Sequence, residues 1–205
     1  MTRITSLTLV STDPAGTAAV CSALGVADRI HATGDPEPSE GYRGYGISLV
    51  TEQPGNVDAL VAAAVDAGAT VLQEPAKSFW GYGAIVASVD GAIWRFGTSS
   101  KKHMGAAAPE FKDLVLLLGV DDVKASKQFY AGRGFEAGRS FGGKYAEFPA
   151  SGEGITLALY PRKAAAKEIG ADPAGSGSHR LVIGTDGPAF TDADDYIWET
   201  AQVSV

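Results

Sequence analysis

The chain has 205 residues, 45% of them hydrophobic and 20% charged, the balance of a globular protein long enough to bury a real core. Its 24 acidic and 17 basic side chains give a net charge of −7 without any basic stripe, so binding to nucleic acid loses its electrostatic driving force. A single cysteine excludes an intrachain disulfide and a cysteine-built zinc cluster, and no run approaches the roughly 20 apolar residues of a membrane span. The N-terminal MTRITSLTLV lacks the long apolar segment of a signal peptide, and a cytoplasmic protein with no membrane partner is expected.

Residues 7–26, LTLVSTDPAGTAAVCSALGV, predict a strand, then a helix capped by Asp13 with Pro14 at its first position, then a glycine stop. YGISLVT (45–51) reads as a strand. In PGNVDALVAAAVDAG (54–68), Val57, Leu60, Val61, Ala64 and Val65 fall on one face of a helix that Gly68 ends. ATVLQ (69–73) and YGAIVASV (82–89) read as strands around the run SFWGYG (78–83). Its Trp80 and Tyr82, set among glycines, are expected at the rim of a binding site. AIWRFG (92–97) closes the first half. The small, polar residues 99–110 are expected to link halves spanning 1–98 and 111–205.

LVLLLGVDDVKASKQFYAGRGF (114–135) repeats the opening strand-cap-helix phrase, with Asp122 on Asp13. GRSFGGKY (138–145), which carries Phe141, has the glycine and lysine spacing of a phosphate loop. It lacks the following Ser or Thr and runs on into a strand, so it reads as a glycine hairpin. KYAEFPA and GITLALYP predict a strand pair on which Tyr145 and Glu147 share a face, a pair suited to acid–base chemistry. A short helix from Pro161 to Ile169, a loose loop (170–178) and the strand HRLVIGT (179–185) follow. So few residues separate HRLVIGT from FTDADDYIWE (190–199) that the last two strands are expected to pair antiparallel or to lie apart, and the second half lacks a helix there.

FTDADDYIWE echoes VASVDGAIWR (86–95): Trp198 falls on Trp94 and Asp194 on Asp90, but Glu199 falls on Arg95. With the Asp13/Asp122 match, this marks a direct internal duplication.

These phrases, in this order and duplicated, resemble the vicinal oxygen chelate superfamily, which includes glyoxalase I, extradiol dioxygenases and the bleomycin-resistance proteins. GVDDVKASKQFYAGRGF is similar to the family's helix phrase, and FTDADDYIWE to its closing strand. The resemblance implies an α+β fold of duplicated βαβββ modules whose curved sheets enclose a concave pocket. The halves, each short for a full two-module domain, are expected to complete one another as a monomer or a homodimer. Family metal ligands come from the first strand of a module and from the glutamate after the closing tryptophan. Those positions are here Ser6 and Val115, and Arg95 and Glu199. His179 stands where a second histidine often sits, and a third ligand would come from elsewhere, such as His31 or Glu147.

The resulting expectation is a binder of a small organic molecule, similar to the bleomycin-resistance proteins, without a cofactor or catalytic metal. Trp80, Tyr82, Arg95 and Phe141 are its candidate ligand contacts. Two enzyme alternatives stay open. One is a glyoxalase- or dioxygenase-like enzyme with a divalent metal on His179 and Glu199. The other is a metal-free lyase, isomerase or cyclase in which Glu199, Tyr145 or Glu147 moves protons.

Overall fold

A computed structural model describes residues 1–79, 81–150, 152 and 154–201. The first half supplies β1 (Ile4–Val10), α1 (Pro14–Ala23), β2 (Ile30–Thr33), β3 (Ser39–Glu40), β4 (Tyr45–Val50), α2 (Pro54–Asp66), β5 (Thr70–Ser78), β6 (Gly81–Ala87) and β7 (Ile93–Thr98). The second supplies β8 (Asp113–Val120), α3 (Val123–Gly132), β9 (Ala146–Phe148), β10 (Ile155–Pro161), α4 (Arg162–Glu168), β11 (Ser176–Gly177), β12 (Leu181–Thr185), β13 (Phe190–Thr191) and β14 (Ile197–Thr200).

The two repeated helix starts are built alike. The Asp13 carboxylate accepts the Gly16 N–H at 3.0 Å, and Asp122 accepts those of Lys124 and Ala125 at 2.8 and 3.1 Å. Each aspartate thereby satisfies amide donors that a helix cannot pair internally. Helix α2 buries Val57, Leu60, Val61 and Ala64, as its apolar spacing predicts, but Val65 at the margin of that stripe is exposed.

The main sheet of the described residues runs β13-β14-β12-β1-β10-β8-β4-β7-β6-β5, with β2 on β1 and β9 on β10. The halves exchange their first strands. β1 pairs with β12 of the second half, and β8 pairs with β4 of the first. Each first strand thus extends the sheet built by the other half of the chain.

The last strands correct one expectation. β12 and β14 are neighbours and parallel, with Ile183 opposite Trp198. Residues 186–196 run out to the sheet edge, where β13 lies antiparallel to β14, and turn back. They supply the dozen or so residues that a parallel crossover takes, without a helix.

Alternation of side chains gives the sheet two unlike faces. On one face Leu7, Leu9, Ile47, Leu49, Trp94, Phe96, Leu116, Leu118, Ile183 and Trp198 merge with the apolar stripes of α1, α2 and α3 into a single core. On the other, α4 lies across β8 and β10, with Ala165 and Ala166 buried against Tyr42 and flanked by Tyr160 and Ile169. The rest of that second face is left open. No helix among the described residues is long and apolar enough to cross a membrane.

Candidate ligand-binding site

Strand register brings the residues of the open face into rows. Gln73 of β5 lies opposite Ile85 of β6, Ile85 opposite Arg95 of β7, Arg95 opposite Ser48 of β4, and Ser48 opposite Val115 of β8. In the other half-sheet Glu199 of β14 lies opposite Gly184 of β12, and Gly184 opposite Ser6 of β1. The first-strand and closing-strand positions singled out in the sequence therefore do converge, but across the halves: Val115 stands two strands from Arg95, and Ser6 two strands from Glu199.

Neither row is a metal donor set. One presents a carboxamide, a guanidinium, a hydroxyl and methyl groups; the other presents one carboxylate, one hydroxyl and a glycine. A divalent ion held by protein side chains needs three or four imidazole, thiolate or carboxylate donors around one point. No three His, Cys, Asp or Glu among the described residues are grouped to hold one.

His179 does not join Glu199. Its ring is stacked on Tyr196 at 4.1 Å between centroids, with Nδ1 on the Arg43 carbonyl and Nε2 2.8 Å from the Asp194 carbonyl. Both ring nitrogens face backbone carbonyl oxygens, one of them as donor in the neutral ring. His179 lies ahead of β12, with Arg180 at φ 54° between it and the strand, whereas Gly184, the partner of Glu199, lies within that strand. The Glu199 carboxylate is exposed and makes no side-chain hydrogen bond or ion pair among the described residues.

The first-half row has a different chemistry. Arg95 is mostly buried, its side chain 16% exposed, and its guanidinium pairs through Nη1 with Glu168 at the end of α4. The Tyr160 hydroxyl donates to the other Glu168 oxygen at 2.8 Å. Burial, followed by the hydrogen bond and charge of Glu168, raises the Tyr160 pKa above the ordinary phenol value. Burial is also the first cause that pushes Tyr42, beside the same helix, up to about 12. Both phenols are therefore neutral donors at physiological pH. The Arg95 Nε–H is buried with no acceptor among the described residues. Gly46 makes room for it, since a Cβ there would stand 3.3 Å from that nitrogen. Because Glu168 is 42% exposed, the ion pair is screened by solvent and contributes about 0–1 kcal/mol.

Around Arg95 lies a cleft of about 390 Å³ lined by Gln73, Ala76, Ser78, Ala84, Ile85 and Glu168, among others. A second depression shares Arg95 and Phe96 and continues over Ser48 and Val50. The first falls within the size range of small-molecule sites, and its lining is mixed, with Gln73, Ser78, Arg95 and Glu168 beside Ala76 and Ile85.

The other expected residues lie elsewhere. Tyr82 faces the helix side, where its hydroxyl donates to Asp58 of α2 at 2.8 Å, so the alternation that puts Gly83 on the open face removes Tyr82 from it. Trp80 lies outside the described residues. Phe141 is 65% exposed on its hairpin, 6.2 Å from the Tyr145 ring, and lines neither depression beside Arg95.

Tyr145 and Glu147 do meet, at 3.0 Å, with Arg139 2.8 Å from the same carboxylate. Burial raises the Tyr145 pKa, and Glu147 raises it further. Burial opposes ionisation of Glu147, yet the hydrogen bonds from Arg139 and Tyr145 outweigh it and hold the carboxyl below its ordinary value. Such a phenol is a poor acid and such a carboxylate a poor base at neutral pH. The pair also stands outside the Arg95 cleft. Glu168, Tyr160 and Tyr42 were not singled out by sequence. The one available signal was Arg95, a cation on a strand flanked by core residues, which calls for a counter-ion.

No protein-family model and no curated protein sequence matches the chain. Solved structures do. Glyoxalase I from Zea mays superposes with a TM-score of 0.60 over 97% of this chain and 91% of its own, at 14% identity. A proposed dioxygenase from Bacillus subtilis superposes with a TM-score of 0.52 over 94% and 71%, at 11% identity.

Proposed function

We propose that this chain, on its glyoxalase fold, binds a small organic molecule on the open face of the sheet, with Arg95 as polar anchor and without a catalytic metal. The observation that carries this reading is Arg95 itself. It occupies the closing-strand position that the family resemblance assigns to a metal-binding glutamate, and it turns a fixed cation into the cleft. A cation there repels a metal ion and favours an organic ligand with an acceptor group. The donor-poor Glu199–Gly184–Ser6 row supports the same reading for the second half. A binder similar to the bleomycin-resistance proteins is favoured over an enzyme because the Tyr145–Glu147 pair is ill matched to proton transfer near neutrality and stands apart from the cleft.

Backbone amide mapping with a mixed set of neutral, acidic and basic fragments tests this. The expected shifts centre on Ser48, Ile85, Arg95, Phe96 and Gly97. Shifts confined to the Asp192–Tyr196 turn, or none on the open face with any fragment class, would overturn it.

A further inference from the structure

We propose that the ligand of the Arg95 cleft is a small organic acid, one carboxylate on an apolar body, and that Glu168 is the internal carboxylate it displaces; the proposal rests on the binding reading above. Arg95 is the single cation among the residues lining this cleft, beside the carboxylate of Glu168, the neutral Gln73 and Ser78 and the apolar Ala76 and Ile85; the side chains of Ala84 and Phe96 belong to the core on the other face. One guanidinium balances one monoanion. A phosphate dianion would stay undercompensated there, in a chain whose net charge is already −7.

The guanidinium is also half used. Glu168 meets it through Nη1, while Nε–H, buried above Gly46, has no acceptor among the described residues. A carboxylate entering from the cleft can take both terminal nitrogens once Glu168 leaves Nη1, a two-bond geometry for which arginine and carboxylate are matched, and the buried Nε–H beside them reports the change.

Glu168 is placed to yield. It is 42% exposed, so its carboxylate reaches water by a side-chain rotation. It ends a seven-residue helix and is followed, after Ile169, by Gly170 in the left-handed region at φ 69°. Tyr160, which now donates to Glu168, then has the same hydroxyl free for the incoming ligand. Ile85, opposite Arg95 on the same face, and Ala76 supply the apolar contact for the rest of the acid. The arrangement makes Glu168 a built-in competitor that sets the threshold concentration of acid at which the cleft fills.

The experiment titrates the full chain and Glu168→Gln with phenylacetate and hexanoate, against phenylacetamide and hexanamide. Affinity is read by calorimetry and site by the Arg95 Nε–H resonance. Both acids are expected to move that resonance and to bind Glu168→Gln about tenfold more tightly than the parent chain, with the amides at least tenfold weaker than the acids. Amides that bind the cleft as well as the acids would overturn the acid assignment and leave the binding reading intact. Acids that bind both chains equally would remove Glu168 as the displaced group. Open-face residues that respond to neither class would contradict the binding reading as well. Should Glu168→Gln fail to fold, Glu168→Ala removes the same carboxylate, and tightening of both acids is expected there too; weaker or unchanged binding would count against displacement.

Discussion

Replacing Gly44 with alanine is expected to destabilise the fold by about 3 kcal/mol or more, read as a drop in the urea midpoint. Two effects combine. Gly44 has φ of 90°, in the region that favours glycine, and a Cβ on it would stand 2.5 Å from both the Tyr196 hydroxyl and an Arg162 nitrogen and 3.0 Å from the His179 ring. The arginine tip can swing away, but the tyrosine cannot. Tyr196 is fully buried, and its hydroxyl donates within hydrogen-bond distance of both the Gly44 and the Gly119 carbonyls. This knot seats α4 on the sheet: Gly119 donates its N–H to the Gly44 carbonyl at 2.6 Å, and a Cβ on Gly119 would lie 3.2 Å from the Arg162 Cα at the start of that helix. Gly25→Ala is the control, since Gly25 has a φ of 68° with nothing within 4 Å of a Cβ. Backbone strain alone should cost about 1–2 kcal/mol there. Equal losses at the two positions would mean that crowding at the seat of α4 contributes nothing.

The second large effect is expected at the repeated tryptophan. Trp198→Ala should cost about 3–5 kcal/mol, with the cavity left among aromatic rings too rigid to collapse. Trp198 is 1% exposed, stacked on Phe190 at 5.1 Å and 5.4 Å from both Tyr130 and Phe135. Its copy Trp94 is equally buried, but the indoles differ in one respect. Trp94 donates Nε1–H to Ser88 at 3.3 Å, whereas the Trp198 Nε1–H, near the Tyr130 hydroxyl, makes no contact of full hydrogen-bond geometry among the described residues. Trp198→Phe removes a poorly satisfied donor together with volume, while Trp94→Phe removes a satisfied one. The phenylalanine variant should therefore be the milder at position 198, by thermal or urea unfolding. A harsher loss at Trp198 than at Trp94 would contradict this account of the two indoles.

Much of the architecture is legible in the sequence because it rests on local chemistry. Asp13 and Asp122 cap their helices through their own side chains, and the valine-, leucine- and threonine-rich runs form strands where alternation says they should. The tryptophan phrases close each half because the large indole belongs on the core side of a strand, which sends Arg95 and Glu199 to the opposite face. What escapes a sequence reading depends on phase and on distant partners. Tyr82 looks like a ligand contact until the sheet register turns it toward Asp58. His179 looks like a ligand until its two nitrogens meet the carbonyls of Arg43 and Asp194, 136 and 15 residues away. The parallel pairing of β12 and β14 follows from a crossover that makes do without a helix. Glu168 and Tyr160 complete the Arg95 site only because α4 is carried onto the open face, where glycine at 119 permits its close approach. Nothing in RKAAAKE announces that placement, since its buried contacts are alanines.

The repeated phrase thus ends in two chemistries: an arginine that takes its partner from α4, and a glutamate without enough neighbours to hold an ion. The most direct test of that claim is elemental analysis of untagged protein equilibrated with zinc, manganese, nickel and ferrous iron and then desalted, beside the Glu199→Gln variant. The account predicts far less than one equivalent of any metal in both proteins. Near-stoichiometric metal in the parent chain that is lost in Glu199→Gln would contradict it, and would return Glu199 to the role its place in the repeat suggests.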